Sequence, residues 1–263
     1  MPMTEPQCKQ MAIELLRTFG VTARAVPETT HRTPDLRGSD GVANYAIELK
    51  QRDGDRYLDE LVQSMAVGQV GSLAPLGLDR ENNTQTAIDY AVSQLRNEAD
   101  DTLRILWIDC EGFDAQSDCD RTIASLLGTG TLLDRSCVGD GDGDGHVHRC
   151  HFYGHNDFWK HRAVLDGGIV TRDKGNETAE MFFLINPYSP RATAVRACSI
   201  ATNLSGDGVW DVPAMEASRE CLWVNAAINR DDAAAVLAHL NAKYRMDLTP
   251  VPIRRYGGAV RAR

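Results

Sequence analysis

Near the N-terminus apolar residues recur at helical spacing. Met11, Leu15 and Phe19 share one face of EPQCKQMAIELLRTF (5–19), Thr4 and Pro6 suit a helix start, and Gly20 suits its stop. VTARAV (21–26), closed by Pro27, reads as a short strand of β-branched and small residues. Two extended segments, around TPDLR (33–37) and NYAIELKQR (44–52), flank the turn signal Asp40-Gly41. A helical period returns at Leu58, Leu61, Val62 and Met65, breaks over a Gly-, Pro- and Asn-rich stretch at 68–84, and resumes at Ile88, Ala91, Val92 and Leu95. LRILWID (103–109) reads as a buried strand. The expected order is helix, three strands, helices, strand.

The second half is less regular. The run GDGDGDG (139–145) predicts an exposed loop and the boundary between a first unit, 1–133, and a second, 146–263, that packs on it. Strands are expected in AVLDGGIVTR, EMFFLINPY and ECLWVNAAI, and a helix in RDDAAAVLAHLNAKY, apolar at Ala234, Val236, Leu237 and Leu240. No internal repeat is visible.

Composition confines the class without naming a function. With 263 residues, 43% of them apolar and 6% aromatic, the chain can bury a sizeable core without cross-links. Its 25% charged residues, 22 Gly and 10 Pro are ordinary for a mixed α/β protein. The net charge of −9 argues against a broadly basic nucleic-acid surface. Charge is uneven, however: the final IRRYGGAVRAR holds Arg254, Arg255, Arg261 and Arg263 and no acid, as a local basic path or as a solvated, frayed end. Seven scattered cysteines fit reduced thiols rather than a disulfide framework. No apolar run reaches the ~18 residues of a membrane span and the N-terminus lacks an apolar signal core, so a cytoplasmic protein with no membrane partner is expected.

The chemistry concentrates in NYAIELKQR. Side chains alternate along a strand, so Glu48 and Lys50 share a face with Ala46, opposite Tyr45, Ile47 and Leu49. A two-residue Asp40-Gly41 turn would pair Ser39 with Val42, Arg37 with Asn44 and Asp35 with Ala46, leaving Asp35 diagonal to Glu48 on the same face. A three-residue loop would reverse that parity. Two convergent carboxylates can hold Mg²⁺, with the Leu49 carbonyl as a further ligand, and such an ion polarises a phosphate and acidifies a bound water. Lys50 is placed to orient that water and offset charge on the phosphorus. A surface hairpin whose Asp, Glu and Lys form solvated cross-strand pairs is the plainer alternative.

TPDL (33–36) followed by IELK (47–50), after a leading helix and before a helix and strand, resembles the PD-(D/E)xK nuclease superfamily. The resemblance covers about residues 5–110 and implies an α/β fold: a restriction-endonuclease-like αβββαβ core, here followed by a mixed α+β C-terminal extension. It implies Asp35, Glu48 and Lys50 as catalytic residues, Asp35, Glu48, Leu49 and, from the first helix, Glu14 as metal ligands, and Gln63 as an accessory residue. Where some branches carry a tyrosine four residues later, Val67 stands instead. The implied activity is Mg²⁺-dependent endonuclease cleavage of nucleic acid, DNA for preference, with Mn²⁺ able to substitute and a homodimer compatible with duplex cutting. A non-catalytic binding or scaffold protein retaining the fold is the competing reading, favoured by the acidic charge.

Two other clusters carry weaker signals. Asp140, Asp142, Asp144 and Gly145 copy half of an EF-hand loop, but His151 stands where its glutamate should be. Cys137, His146, His148, Cys150, His151 and His155 lack the spacing of a known zinc site. The group His155, Trp159, Lys160, His161 and Arg162 fits either a nucleic-acid contact surface or a half-buried amphipathic turn.

Overall fold

A computed structural model describes residues 4–27, 33–52, 70–72, 82–112, 115–137, 146–173, 179–204, 206–251 and 259–261. The fold is mixed α/β. Helix α1 (Glu5–Thr18) begins where Gln7 Oε1 accepts the Thr4 amide at 2.9 Å, with Pro6 in its first turn. It buries the stripe Cys8, Ala12 and Leu16. Strands β1 (Thr22–Ala25), β2 (Leu36–Ser39) and β3 (Asn44–Arg52) follow as an antiparallel meander. Strand β4 (Val70–Ser72) and helix α2 (Asn82–Leu95) then lead into β5 (Thr102–Cys110), which runs parallel to β3 over nine residue pairs, Asn44 with Thr102 through Arg52 with Cys110. The parallel register needs a crossover, and α2 is part of it.

The sheet does not stop there. After α3 (Ala115–Leu127), β6 (Gly130–Asp134), β7 (His146–His151) and α4 (Asp157–Lys160), strand β8 (Gly167–Asp173) returns parallel to β5, and β9 (Ala179–Ile185) pairs antiparallel with β8. Helices α5 (Ala192–Ala197) and α6 (Ser199–Asn203) precede β10 (Val209–Trp210), which closes a seven-stranded order β1-β2-β3-β5-β8-β9-β10. Then come α7 (Val212–Ala217), β11 (Leu222–Trp223), α8 (Ala233–Tyr244), β12 (Leu248–Pro250) and β13 (Ala259–Arg261). A second sheet has the order β11-β7-β6-β12, and β13 pairs with β4.

Both faces of the long sheet are covered. Tyr45, Ile47, Leu49, Ile105, Trp107, Ile169 and Phe183 pack with α1, Val195 and Ile200 on one side. Ala46, Leu106, Ile108, Val170 and Leu184 pack with α2, α3 and the second sheet on the other. Strand β5, buried on both faces, accordingly carries the unbroken apolar run Ile105–Ile108 at its centre.

The structure departs from the expected division at 133/146. β6 and β7 lie on either side of it yet are paired, Gly130 with Cys150 through Asp134 with His146, and β8 to β10 extend the first sheet. An isolated first unit would leave the apolar edge of β5 unpaired, so pairing overrides the loop signal. ECLWVNAAI yields only the two-residue β11. The C-terminal stretch is not wholly frayed: Ala259–Arg261 is tied to β4 by backbone pairing. The helix expected over Leu58–Met65 lies outside the described residues. Among the described residues, no helix is long and apolar enough to cross a membrane.

Leu106 is fully buried at the centre of β5. Leu106→Ala should lower unfolding stability by about 2–5 kcal/mol in a denaturant titration. Val42→Thr, at a site 78% exposed, should change it by less than about 0.5 kcal/mol.

Candidate active site

The β2–β3 connection sets the geometry. The turn spans residues 40–43 rather than two residues, because Asp40 Oδ1 accepts the amides of Val42 at 2.8 Å and Ala43 at 2.7 Å while Gly41 takes a φ of +82°. Ser39 therefore faces Asn44, and Leu36 faces Ile47. A two-residue change of register preserves side-chain parity. Continued by one residue, it sets Asp35 opposite Glu48 rather than diagonal to it. The turn is clamped from outside: Asp40 Oδ2 accepts the Ser199 amide at 2.8 Å and the Tyr45 hydroxyl. Burial pushes the Asp40 carboxyl up, but those donors together hold it well below the usual carboxylate range.

Asp35, Glu48 and Lys50 come together at the end of β3 where β2 has run out. Asp35 Oδ2 accepts the Leu49 amide at 2.9 Å, and its Oδ1 pairs with Lys9 of α1 at 2.9 Å. Glu48 is fully buried; its Oε1 accepts from Lys50 Nζ, while its Oε2 is buried without a hydrogen-bond partner. Burial pushes the Glu48 carboxyl up to about 7, with the Lys50 ammonium opposing and the Asp35 charge adding to the rise. Lys50 Nζ also reaches Gln94 Oε1 at 3.4 Å and lies 5.1 Å from the centre of the Tyr90 ring. A strand residue points its N–H and C=O to the same edge, so the Leu49 carbonyl faces the edge on which Asp35 takes the Leu49 amide.

Glu14 is not brought to this group. It is exposed, accepts from Gln10 Nε2 at 2.7 Å, and lies two residues from Ala12 at the centre of the buried stripe, on the far side of the helix. Lys9 takes the place at Asp35 instead, also paired with Glu5 at 2.6 Å. Burial alone would lower the Lys9 pKa, but hydrogen bonds to Glu5 and Asp35 raise it. The Glu5–Lys9 spacing beside Cys8 was the available signal for this contact, and Tyr90 and Gln94, four apart on α2, the signal for theirs. Gln63 lies outside the described residues.

A second acidic group flanks the first on the α1 side. Asp109 of β5 accepts from Thr171 Oγ1 at 2.6 Å, Thr171 in turn accepts from Trp107 Nε1 at 2.9 Å, and Cys8 Sγ lies 3.9 Å from Asp109 Oδ2. Burial raises Asp109 to about 6, Thr171 opposing and the Glu111 charge adding. Burial and the neighbouring acids push the Cys8 thiol up to about 12, leaving it inert.

The other clusters settle into structural roles. Lys160 and His161 both pair with Asp89 of α2, at 2.6 and 2.8 Å, His155 pairs with Asp231 at 3.7 Å, and Trp159 lies between Arg162 and Arg230, at 4.3 and 4.7 Å. This is the half-buried turn, its cations spent on internal partners. His151 is buried against Thr129 and Trp210, and its pKa falls to about 4. Six described cysteines are free and buried. Among the described residues, no three His, Cys, Asp or Glu side chains converge as a metal site. Asp35 and Glu48 offer two carboxylates and a neighbouring carbonyl, a hard-oxygen set suited to Mg²⁺, which takes one or two carboxylates and keeps waters.

Comparison with known proteins leaves the site to be read from its own geometry. No family model matches the chain. No curated protein matches it. Among solved structures, the Holliday junction resolvase Hjc of Archaeoglobus fulgidus, an archaeal hyperthermophile, is similar at 14% identity and a TM-score of 0.23 over 39% of this chain. The match spans 66% of that resolvase, just under two thirds of it.

A carboxyl raised from 4.5 to about 7 holds its proton in the folded chain over a range where the unfolded chain has lost it. Its contribution to stability therefore falls as pH rises through that window. In metal-free buffer, the stability of Glu48→Gln relative to wild type should rise by on the order of 1–3 kcal/mol between pH 5 and 8. A difference independent of pH would show that burial does not govern this carboxyl.

Proposed function

We propose that the chain is a divalent-metal-dependent nuclease of the PD-(D/E)xK type, acting on phosphodiester bonds of nucleic acid and on DNA for preference. The observation that carries the reading is the pairing of Asp35 with a buried Glu48 that keeps one oxygen unpartnered, with Lys50 on the same face. The run α1, β1, β2, β3, β4, α2, β5 supports it: the three-residue β4 aside, its elements follow the sequence that the reading expects.

On this reading Asp35, Glu48 and the Leu49 carbonyl would hold Mg²⁺, or Mn²⁺ in its place. Such a cation would supply polarisation of the scissile phosphate and a water of lowered pKa. The protein's own contribution is local. Glu48 must be ionised to serve, so burial ties its use to pH near 7 or to a cation that stabilises the charge. Lys50, released from Glu48 Oε1, orients the attacking water and offsets charge on the phosphorus. Gln94 and Tyr90 hold Lys50 from the helix side. Lys9 neutralises Asp35 and thereby steadies two like charges side by side.

The reading of a non-cutting binding protein is favoured by one observation: each carboxylate already carries a lysine. Cleavage assays on plasmid, single-stranded DNA and RNA separate the two. Wild type should cut with Mg²⁺ or Mn²⁺ and not in EDTA, with a rate that rises through pH 7. Glu48→Ala and Lys50→Ala should each lose at least about a hundredfold, the scale of removing one positioned acid–base or charge-stabilising group. Undiminished cleavage in both variants would sink the proposal.

A further inference from the structure

The outer strands place Arg24 of β1 directly opposite Arg37 of β2. Residues so opposed project on one face, and like charges there destabilise the pairing. One of the two is compensated: Arg37 Nη2 meets Glu98 Oε1 at 2.9 Å. Among the described residues Arg24 has no acidic partner. The Arg37 side chain is 50% exposed where that of Glu98 is 11% exposed, so the guanidinium keeps donors toward solvent. Both arginines line a groove of about 580 Å³ whose remaining wall includes Thr22, Ser39, Asn44 and Asn97, all hydrogen-bonding side chains.

This groove lies beside the acids. Arg37 follows Asp35 by two residues, on the same face of the chain and ~7 Å away at the backbone. Ala46, its partner on β3, packs on the α2 side, the side to which Glu48 and Lys50 also project. Gln94 contacts Lys50, and Glu98, one turn further on, contacts Arg37. Lys50 and the arginine pair thus flank Asp35 along a single edge.

We propose that Arg24 and Arg37 bind a backbone phosphate of the nucleic-acid strand whose scissile bond is presented to Asp35 and Glu48. The assignment rests on the nuclease reading. The chemistry suits the ligand: planar guanidinium forks bind phosphate oxygens in a bidentate manner, and an anion between two opposed arginines turns their repulsion into a shared contact. Spacing suits it as well, ~7 Å being about two nucleotides along a duplex axis at ~3.4 Å each. Glu98 is a built-in competitor that releases Arg37 when a phosphate arrives. A chain of net charge −9 in this way holds a polyanion at one place without a basic surface.

The test uses the full chain in EDTA, so that binding is read without cutting. Fluorescein-labelled single-stranded DNA of about 30 nucleotides and its duplex are titrated by anisotropy across a series of KCl concentrations. Arg24→Ala with Arg37→Ala should weaken binding about tenfold and reduce the slope of log K against log salt by about 1, the loss of one phosphate contact. Glu98→Gln should tighten binding, an effect that a merely structural role would not give, and the double lysine variant should recover part of the affinity. Arg24→Gln alone, at an exposed side chain with no acidic partner among the described residues, should show a smaller loss and serves if the double variant fails to fold. Wild-type affinity and slope in the arginine variants, with Glu48-dependent cleavage intact, would overturn the phosphate site and leave the nuclease reading standing. A reduced slope without Glu48-dependent cleavage would uphold the arginine site and overturn the nuclease. No polynucleotide binding by the wild type at low salt would overturn the arginine site, and the nuclease reading would then stand or fall on the cleavage assay.

Discussion

The pairing of β3 with β5 over nine residues is the constraint on which the rest depends. It joins the meander that carries the acids to the crossover behind it, and it forces both strands to be covered on two sides. Helix α1 and the pair α5 and α6 cover one side; α2, α3 and the second sheet cover the other. A carboxylate on β3 is therefore dry by construction. Glu48 sits in the row of Ala46, opposite Leu106 of β5, at a position where an aliphatic residue would be unremarked.

Dryness explains the company Glu48 keeps. An isolated buried carboxylate is costly, and a like charge beside it more so. The fold answers with two ammonium groups from different elements, Lys50 along the same strand and Lys9 from α1. The arrangement is neutral and closed, yet leaves one Glu48 oxygen unmatched. That unmatched oxygen, at the end of β3 that β2 does not reach, sets Glu48 apart from the fully matched Asp166, whose oxygens meet Arg104, Ser189 and Arg191.

Local patterning made the first half legible. The α1 stripe, the alternation in NYAIELKQR and the apolar run of β5 each carry their own periodicity, and the parity argument brought Asp35 and Glu48 together even though the turn proved to be two residues longer. Parity survives an even change of length, which is why the reasoning held where its details did not. Glu14 went the other way. Its assignment came from resemblance, and the buried stripe of Cys8, Ala12 and Leu16 already pointed it to solvent. The second half was legible only in its strongest elements, β8, β9 and α8. Helix α3, with Asp118, Cys119 and Thr122 all buried, hides its inward face behind polar residues. The two-residue strands β10 and β11 exist because a neighbour is there to pair with them, which no local pattern records.

The β8 strand gives the molecule a property its linear order disguises. Because β8 zips onto β5 from Ile105 to Cys110, the sheet that carries the acids is completed by a strand far downstream of them in the chain. The half that bears the acids is not a portable module. A ribosome that has released only the first 133 residues has made every candidate ligand, with α1, α2 and β5 around them, and has yet to make the strand that covers the open edge of β5.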